Sequence, residues 1–536
     1  MAKYKKMPPV MATGYNFAKN PSVNINRTVM DRSHNYSTTF DSGLLIPVLV
    51  DWILPGDTLT CKMTALVRMT TPIKPMMDNL HLESFFFFVP DRLVWSNFPK
   101  FMGEQTNPGD SINFTIPVIN VAASQYALGS IADYMGLNTA QHGAGTFSHS
   151  ALPIRAFWLT YNQWFRDENL INTHAISLGD GPDSNSEANA APPKRGKRHD
   201  YFTSCLPFLQ KGTAVSLPLG TSAPVVHPGT PSLTQVSVFN TAAGALRTLQ
   251  TVAGVNPQNI QLTNIGGESA ANQLTVNLAL ATAATINDMR YAIGIQQFLE
   301  KDARGGTRMK EVIYEHFRVR SSDARLDRVE YLGGGSTPIT IAPITQSTQT
   351  GLTGGTTPLG NLGGVGAAIA NRHGFTKSFE EPGIIIGIVN VRADLTYSQG
   401  VERHWFHSTR YDRFWPVLEE LGEQAVLNRE IYFQGNASDA LVFGYQPRYA
   451  EYRYKPSKLT NLMAPTAAGT LQIWHASEKF TALPTLGQTF IEDQTETVLD
   501  DRVAIPSEPD WYFNAHFDYK HARPMKTYTI PGMKRF

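Results

Sequence analysis

The chain has 536 residues, a formal net charge of +1 at pH 7 and 17% charged residues, against about 25% in an average soluble protein. The near-zero net charge excludes a polycation, and the two cysteines, Cys61 and Cys205, exclude a disulfide-dense secreted scaffold. Hydrophobic residues make up 42% of the chain, so it can bury a sizeable core. The low charge suits a surface covered by copies of the same chain, and it equally suits a loop-rich β protein.

Residues 1–40 have the character of an N-terminal arm. Lys3, Lys5 and Lys6 come first, prolines, asparagines and serines follow, and neither helical nor strand periodicity is present. Residues 1–14 lack the apolar core of a secretory signal, and no stretch approaches the ~18 apolar residues of a membrane span. We therefore expect synthesis in the cytosol and no membrane insertion.

Strong strand patterns begin after the arm and return late in the chain. Across 59–70, apolar and polar residues alternate with one exception, which predicts a strand with one buried face. The apolar run 85–89, stopped by Pro90, predicts a strand buried on both faces. The alternation returns across 389–397.

Helical spacing appears between and after these strand blocks. Pro153 can open a helix because its missing N–H costs nothing in the first turn. Further helices are predicted after Asp288, around Met309, and from Pro416 towards Asn428.

Because the strand blocks lie far apart in sequence, we expect one barrel or sandwich interrupted by long insertions, and not a series of separate domains. Residues 218–285 are nearly free of charge and rich in Ala, Thr, Asn, Gln and Val. Residues 333–371 are rich in Gly and Thr, and we predict a loop there. No repeat of fixed period is visible.

Three short motifs could suggest enzyme chemistry, and none is complete. Asp41-Ser42-Gly43 matches an aspartic-protease signature, but no second such motif supplies the required partner carboxylate. The glycine-rich stretch 360–368 follows no hydrophobic strand, so we expect a flexible loop there and not a dinucleotide site. His404 and His407 lack the remaining ligands of a metal set and are predicted to pack together. We expect no catalytic residue, no metal and no cofactor.

Two clusters of basic residues are candidates for nucleic-acid contact. The densest, Lys194, Arg195, Lys197 and Arg198, follows two prolines, which predicts an extended and accessible backbone. Together with Lys3, Lys5 and Lys6 it forms the predicted DNA-facing set. The second cluster, 448–458, interleaves cations with tyrosines. It could be a stacking platform for bases or a subunit contact, and the subunit contact is favoured.

Several long strings spread over most of the chain resemble the coat proteins of microviruses, the small icosahedral single-stranded DNA phages. The resemblance is nearest to the gokushovirus branch. It is carried by the strings at 24–27, 40–47, 54–58, 87–95, 194–211, 304–308, 330–336 and 421–424. No such string falls in 218–285.

The resemblance implies a mainly β fold, an eight-stranded antiparallel jelly-roll barrel with very long inter-strand insertions that contain helices and loops. It implies one capsid domain over 41–536, assembled through pentamers into a T=1 shell of about sixty copies. The expected partners are packaged circular single-stranded DNA, a small basic internal phage protein and a receptor on a bacterial host. The insertion 218–285 is expected to form the surface protrusion. The chain would reside in the virion, and in the bacterial cytoplasm during assembly.

Two other classes of function compete with a shell protein. One is a jelly-roll carbohydrate-binding protein or cupin-like enzyme, although the His-x-His motif of cupin metal sites is absent. The other is a single-stranded DNA-binding protein that acts outside any particle.

Overall fold

The computed structural model describes residues 27–122, 126–137, 146–215, 286–347 and 360–528, together with the backbone of five short strands between 225 and 276. The described residues fall into two compact units. The first runs up to Pro207 and resumes at Arg318, and the second comprises Phe208–Phe317.

Both units contain strands and α-helices. The strands are β1 (Thr28–Asp31), β2 (His34–Phe40), β3 (Ile46–Ile53), β4 (Thr58–Met69), β5 (Leu80–Pro90), β6 (Val118–Val121), β7 (Phe147–Ser150), β8 (Val225–Val226), β9 (Val236–Asn240), β10 (Ala245–Thr251), β11 (Ile260–Thr263), β12 (Thr275–Val276), β13 (Glu330–Thr345), β14 (Leu362–Ser378), β15 (Gly383–Ala393), β16 (Thr396–Tyr397), β17 (Glu423–Leu427), β18 (Val442–Pro447), β19 (Ser477–Glu478) and β20 (Trp511–Arg523). The α-helices are α1 (Asp91–Val94), α2 (Phe98–Phe101), α3 (Ile131–Tyr134), α4 (Leu152–Thr160), α5 (Ile286–Gly305), α6 (Met309–Phe317), α7 (Asn428–Ile431), α8 (Ala450–Arg453), α9 (Gln488–Ile491) and α10 (Thr495–Asp500).

One curled antiparallel sheet organises the first unit. Its strand order is β1-β20-β4-β14-β13-β5-β15-β3, and β2 extends the β1 edge along β20. The sheet bends into a half-barrel interrupted by long insertions, which confirms the predicted jelly-roll class. Strands from the two ends of the chain are neighbours in this sheet, since β4 pairs with β20 and places Ala65 opposite Ala515.

The alternation predicted for 59–70 is present in β4. Every odd position from Leu59 to Met69 is buried, and the even positions point outward. The buried side chains join the main core inside the curl together with Trp511, Phe513 and Phe517 of β20. The thiols of Cys61 and Cys205 are buried, and burial raises the pKa of the Cys61 thiol to about 12.

The prediction that 85–89 is buried on both faces is also confirmed. Phe86 and Phe88 of β5 enter the core inside the curl, whereas Phe87 and Val89 enter a second core on its outer face. Helix α4 covers this outer core and carries Pro at its first turn, as predicted. A π-helical turn, Tyr161–Phe165, extends α4.

In the described parts of the predicted Gly/Thr-rich loop, 333–347 and 360–371, the chain is mostly strand, and so is the stretch 360–368. Residues 348–359 lie outside the described residues. Strands β13 and β14 enter this region from both sides. The glycines here permit close backbone packing: a Cβ on Gly334 would overlap the carbonyl of Ser84 on β5, and one on Gly335 would lie 2.6 Å from the ring of His373. Glycine content therefore marks tight strand packing at these positions.

The helix predicted from Pro416 is also wrong. Pro416–Leu418 forms only a 3-10 turn, and the chain passes through Gly422, at φ 92°, into β17. A left-handed glycine ends helical structure, and the following residues gain backbone hydrogen bonds from β18.

The second unit contains the helices predicted after Asp288 and around Met309. Helices α5 and α6 are joined by a 2.7 Å contact between His316 Nε2 and Asp302. The tract 218–285 contributes a sheet of order β11-β10-β9 and the pair β12-β8.

Candidate nucleic-acid interface

The basic segment Lys194–Arg198 is extended, as predicted, and it is held on both sides by backbone hydrogen bonds. Arg195 donates its N–H to the carbonyl of Gly43 at 2.8 Å and accepts from the N–H of Asp493 at 2.8 Å. Lys197 donates to Ile491 at 2.8 Å. The segment therefore lies between two other chain segments and is not a free loop.

The buried carboxylate of Glu83 on β5 pairs with three arginines. Arg195 donates to it, Arg198 Nη2 lies 3.0 Å away and Arg392 Nη2 of β15 lies 3.2 Å away. Burial by itself raises the pKa of Glu83, but the charges of Arg195 and Arg392 and the hydrogen bonds from Arg195 and Arg198 outweigh it, and the pKa falls to about 2. We call Glu83 and these three arginines the Glu83 cluster.

The two lysines of the segment are paired as well. Lys197 Nζ lies 2.6 Å from Glu478 of β19 and 4.4 Å from the ring centre of Phe490, with only 5% of its side chain exposed. Lys194 Nζ lies 2.9 Å from Glu496 of α10.

All four predicted DNA-facing residues of this segment thus have carboxylate partners within the subunit. Lys194 and Arg198 are the most exposed, at 27% and 37% of their side chains. A phosphate would compete with Glu496 for Lys194 and with Glu83 and Asp394 for Arg198, whereas it could reach Lys197 only by breaking a buried pair. Contact between this segment and DNA stays a prediction. In the structure the segment 194–198 also connects the chain around it to β5, β15, β19 and α10.

Lys3, Lys5 and Lys6 lie outside the described residues, so their predicted contact with DNA also stays a prediction.

The second basic cluster, 448–458, is less exposed to solvent than its sequence suggested. Tyr449 is 2% exposed and cannot act as a stacking surface, whereas Tyr452 and Tyr454 are each 49% exposed. Three of its cations are paired with carboxylates: Arg453 with Glu419 at 2.9 Å, and Lys455 and Lys458 with Glu402 at 3.3 and 3.0 Å. Arg448 lies 5.1 Å from the ring centre of Tyr449.

His404 and His407 pack edge to face, with ring centres 5.1 Å apart. His404 Nε2 lies 3.1 Å from the carbonyl of Glu451, and His407 Nε2 lies 3.6 Å from its carboxylate. Within the described part of the chain, no group of three His, Cys, Asp or Glu side chains is placed to hold a metal.

The Asp41-Ser42-Gly43 turn has a structural use. The Ser42 N–H donates to Asp510 at 3.0 Å, and the Trp511 indole donates to the Ser42 hydroxyl at 2.7 Å. The carboxylate of Asp41 accepts from the Asp510 N–H at 3.2 Å, so this motif fixes the start of β20 beside the end of β2.

Sequence reasoning missed Glu83, the centre of the basic cluster. A signal was present, because a lone glutamate precedes the phenylalanine run of a strand predicted to be buried on both faces. A buried carboxylate needs a cation or several hydrogen bonds, and the densest basic cluster was the natural source.

No helix in the described ranges has both the length and the apolar composition that crossing a bilayer requires.

Comparison with known proteins covers the whole chain. The family described as Capsid protein (F protein) matches residues 18–533. Capsid protein VP1 of Bdellovibrio phage phiMH2K is 41% identical over 534 residues, covering 97% of each chain. Capsid protein VP1 of Chlamydia phage 1 is 38% identical and covers 100% of each chain. Capsid protein VP1 of Spiroplasma virus 4 is 32% identical, covering 99% of this chain and 100% of the relative. A structural role in a virion, and not catalysis, follows from these matches, and the chain belongs to the phage capsid protein (F protein) family.

Proposed function

We propose that copies of this capsid protein associate through pentamers into a T=1 icosahedral shell of about sixty subunits around a circular single-stranded DNA genome. The observation that carries the proposal is the capsid family match across 18–533, which spans nearly the entire chain. The strings that resemble microvirus coat proteins support the genome type and the symmetry. Assembly would take place in the cytoplasm of a bacterial host.

The charge of the shell supports a further partner, a small basic internal protein. Encoding 536 residues takes at least about 1,600 nucleotides, each with one phosphate charge. About sixty copies at a net charge of +1 supply only about sixty positive charges. The four cations at 194–198 are already paired with carboxylates of the same subunit. Polyvalent cations and a basic protein would carry the remaining charge.

The tract 218–285 is proposed as the outward protrusion and the region that contacts the host receptor. It is nearly uncharged, unlike tracts that stay unfolded, and it contains short antiparallel strands. Contact among three copies around a threefold axis could bury apolar surface that a single copy would expose. Loops carried on a rigid scaffold commonly serve recognition.

Electron microscopy of the purified chain in negative stain tests the shell. Uniform spherical particles are expected. Small soluble oligomers would favour a carbohydrate-binding protein, and DNA-coated filaments would favour a single-stranded DNA-binding protein that acts outside a particle.

A further inference from the structure

Residues 405–421 hold large apolar side chains in solvent. Val417 is 89% exposed and Trp405 is 75% exposed. We call the following set the 405–421 patch: Trp405, Tyr411, Phe414, Trp415, Val417 and Leu421. Together these side chains expose on the order of 700 Å². Large apolar side chains concentrated in solvent within one short segment are typical of interaction sites.

Local hydrogen bonds fix the backbone of the patch. The carboxylate of Asp412 accepts from the N–H groups of Ser408 and Thr409 at 3.0 and 2.7 Å. These bonds lower the pKa of Asp412 to about 2. The Trp415 indole donates to the carbonyl of Arg410 at 2.7 Å, which sets the orientation of its ring.

The patch is also attached to the body of its unit. The buried Tyr449 donates its hydroxyl to the carbonyl of Tyr411 at 3.2 Å, and its ring lies 5.3 Å from that of Phe414. Arg453 pairs with Glu419 at 2.9 Å. A surface held in this way loses little conformational entropy when it is covered, which favours tight association.

The chemistry of the patch selects a protein partner over DNA. Residues 405–421 contain two arginines and three carboxylates, a formal net charge of −1 with His407 neutral. Surfaces that bind single strands are positively charged. Val417 and Leu421 offer aliphatic surface with no stacking face. Trp, Tyr and Arg are the usual anchors of protein interfaces, and a standard interface buries about 800 Å² on each partner.

We infer that the 405–421 patch binds a neighbouring copy of this chain and forms part of a contact between subunits of the shell. The inference rests on the proposed shell-forming function, which supplies identical copies at fixed positions. Among the described residues, the 405–421 patch is then a surface whose burial against a neighbouring copy drives assembly.

A cysteine at the most exposed position tests the inference directly. The native thiols Cys61 and Cys205 are buried, so the unsubstituted chain gives a low background with a maleimide label. We expect Val417→Cys to react rapidly in dissociated subunits and roughly tenfold or more slowly in intact particles, because an interface core excludes water. Equal reactivity in both states would overturn the inference. Protection already present in dissociated subunits would also overturn it, since the subunit's own chain would then cover the patch.

A charge substitution tests whether the contact drives assembly. Val417→Asp with Leu421→Asp should leave the circular dichroism and thermal unfolding of dissociated subunits unchanged, because both side chains project into solvent, and should reduce particle yield at least about tenfold. Leu128→Asp is the matched control, because Leu128 is a 70% exposed apolar residue outside the patch, and particles should form normally. Normal yield of DNA-filled particles by the double variant would refute the inference, and normal shells without DNA would assign the patch to nucleic acid. If the unsubstituted chain itself forms no particles, the shell function fails and the inference fails with it.

Discussion

Glu83 of β5 and Arg392 of the adjacent strand β15 form an ion pair in the curled sheet: Arg392 Nη2 lies 3.2 Å from the Glu83 carboxylate, and 9% of each side chain is exposed. The single negative charge of Glu83 cannot neutralise the three positive charges of Arg392, Arg195 and Arg198. Further carboxylates lie close to these arginines. Asp394 lies 3.0 Å from Arg198, and the charge of the buried Asp493 acts on both Arg195 and Arg392. Burial, followed by the charge of Arg195, lowers the pKa of Arg392 to about 10. The basic segment that suggests DNA contact in the sequence is therefore also part of an internal ionic network.

Removing the central charge of the Glu83 cluster should strongly destabilise the subunit. Glu83→Gln leaves three arginines without their shared carboxylate, and breaking a buried pair costs about 3–5 kcal/mol. Urea denaturation of dissociated subunits measures the loss. Asp518→Asn breaks the exposed pair with Lys520 and serves as the control, with an expected change of at most about 1 kcal/mol. Equal effects of the two substitutions would contradict the role of the cluster.

Acid should weaken the same cluster. The pKa of Glu83 is lowered from 4.5 to about 2 in the folded subunit. Its contribution is therefore present above about pH 4.5 and is lost as the pH falls towards about 2. The difference in unfolding free energy between the unsubstituted chain and Glu83→Gln should shrink across this window. A difference that stays constant from pH 5 to pH 2 would disprove the assignment.

Asp91 should show the opposite dependence on pH. Burial, reinforced by the charge of Glu381, raises the pKa of Asp91 from 3.8 to about 6, and Oδ1 lacks a hydrogen-bond donor in the described structure. The folded state holds this proton more tightly, so Asp91 lowers stability progressively as the pH rises from about 4 to about 6. Asp91→Asn should raise the free energy of unfolding by about 1–3 kcal/mol at pH 7 and change it little at pH 4. Thermal unfolding at the two pH values measures this, and a variant destabilised equally at both would contradict it.

Close packing at the Gly333–Gly335 run predicts a position-dependent effect of an added methyl group. Gly334→Ala places a Cβ against the carbonyl of Ser84, so β13 and β5 must separate, at a cost of about 1–3 kcal/mol or more. Gly363→Ala is the matched control on the neighbouring strand, because its Cβ would meet only the carbonyl of Ile344 at 3.9 Å. Thermal unfolding should separate the two variants, and equal melting temperatures would argue against tight packing at Gly334.

The proposed DNA contact can be tested at the two most exposed cations of the basic segment. Lys194→Gln with Arg198→Gln should permit shells and lower their DNA content, and the absorbance ratio at 260 and 280 nm of purified particles measures that content. Substituting Arg195 or Lys197 as well would strip carboxylates of their buried partners and confuse folding with packaging. Lys520→Gln removes a 57% exposed cation elsewhere and is the control. If the double variant yields DNA-filled particles in normal amount, the segment has a structural role only.

Replacing residues 218–285 with a short Gly/Ser bridge should leave shell assembly intact and abolish attachment to the host. Particle yield and binding of particles to host cells provide the two measurements. Loss of assembly would place the tract in the shell itself, and the attachment proposal would be withdrawn.

The sequence by itself determined the strands whose burial follows a local pattern. The alternation in β4 predicts a strand with one buried face, and the apolar run in β5 predicts a strand buried on both faces, because side chains of an extended strand point alternately to opposite faces. It also determined α4, where Pro occupies the first turn and apolar residues follow at helical spacing. The expectation of a jelly-roll barrel came from the family resemblance and not from these patterns, and the order of the strands is known only from the structure.

Only the tertiary structure decided what the basic residues and the glycines do. Glu83 meets Arg195 and Arg392 across 112 and 309 residues of chain, and no local pattern records such a pairing. Glycine-rich stretches have the same composition whether they form loops or closely packed strands, and the neighbouring Ser84 and His373 decide between the two at Gly334 and Gly335. Periodicity depends on backbone geometry, which acts between near neighbours, whereas charge pairing and steric fit depend on which distant segments the fold brings together.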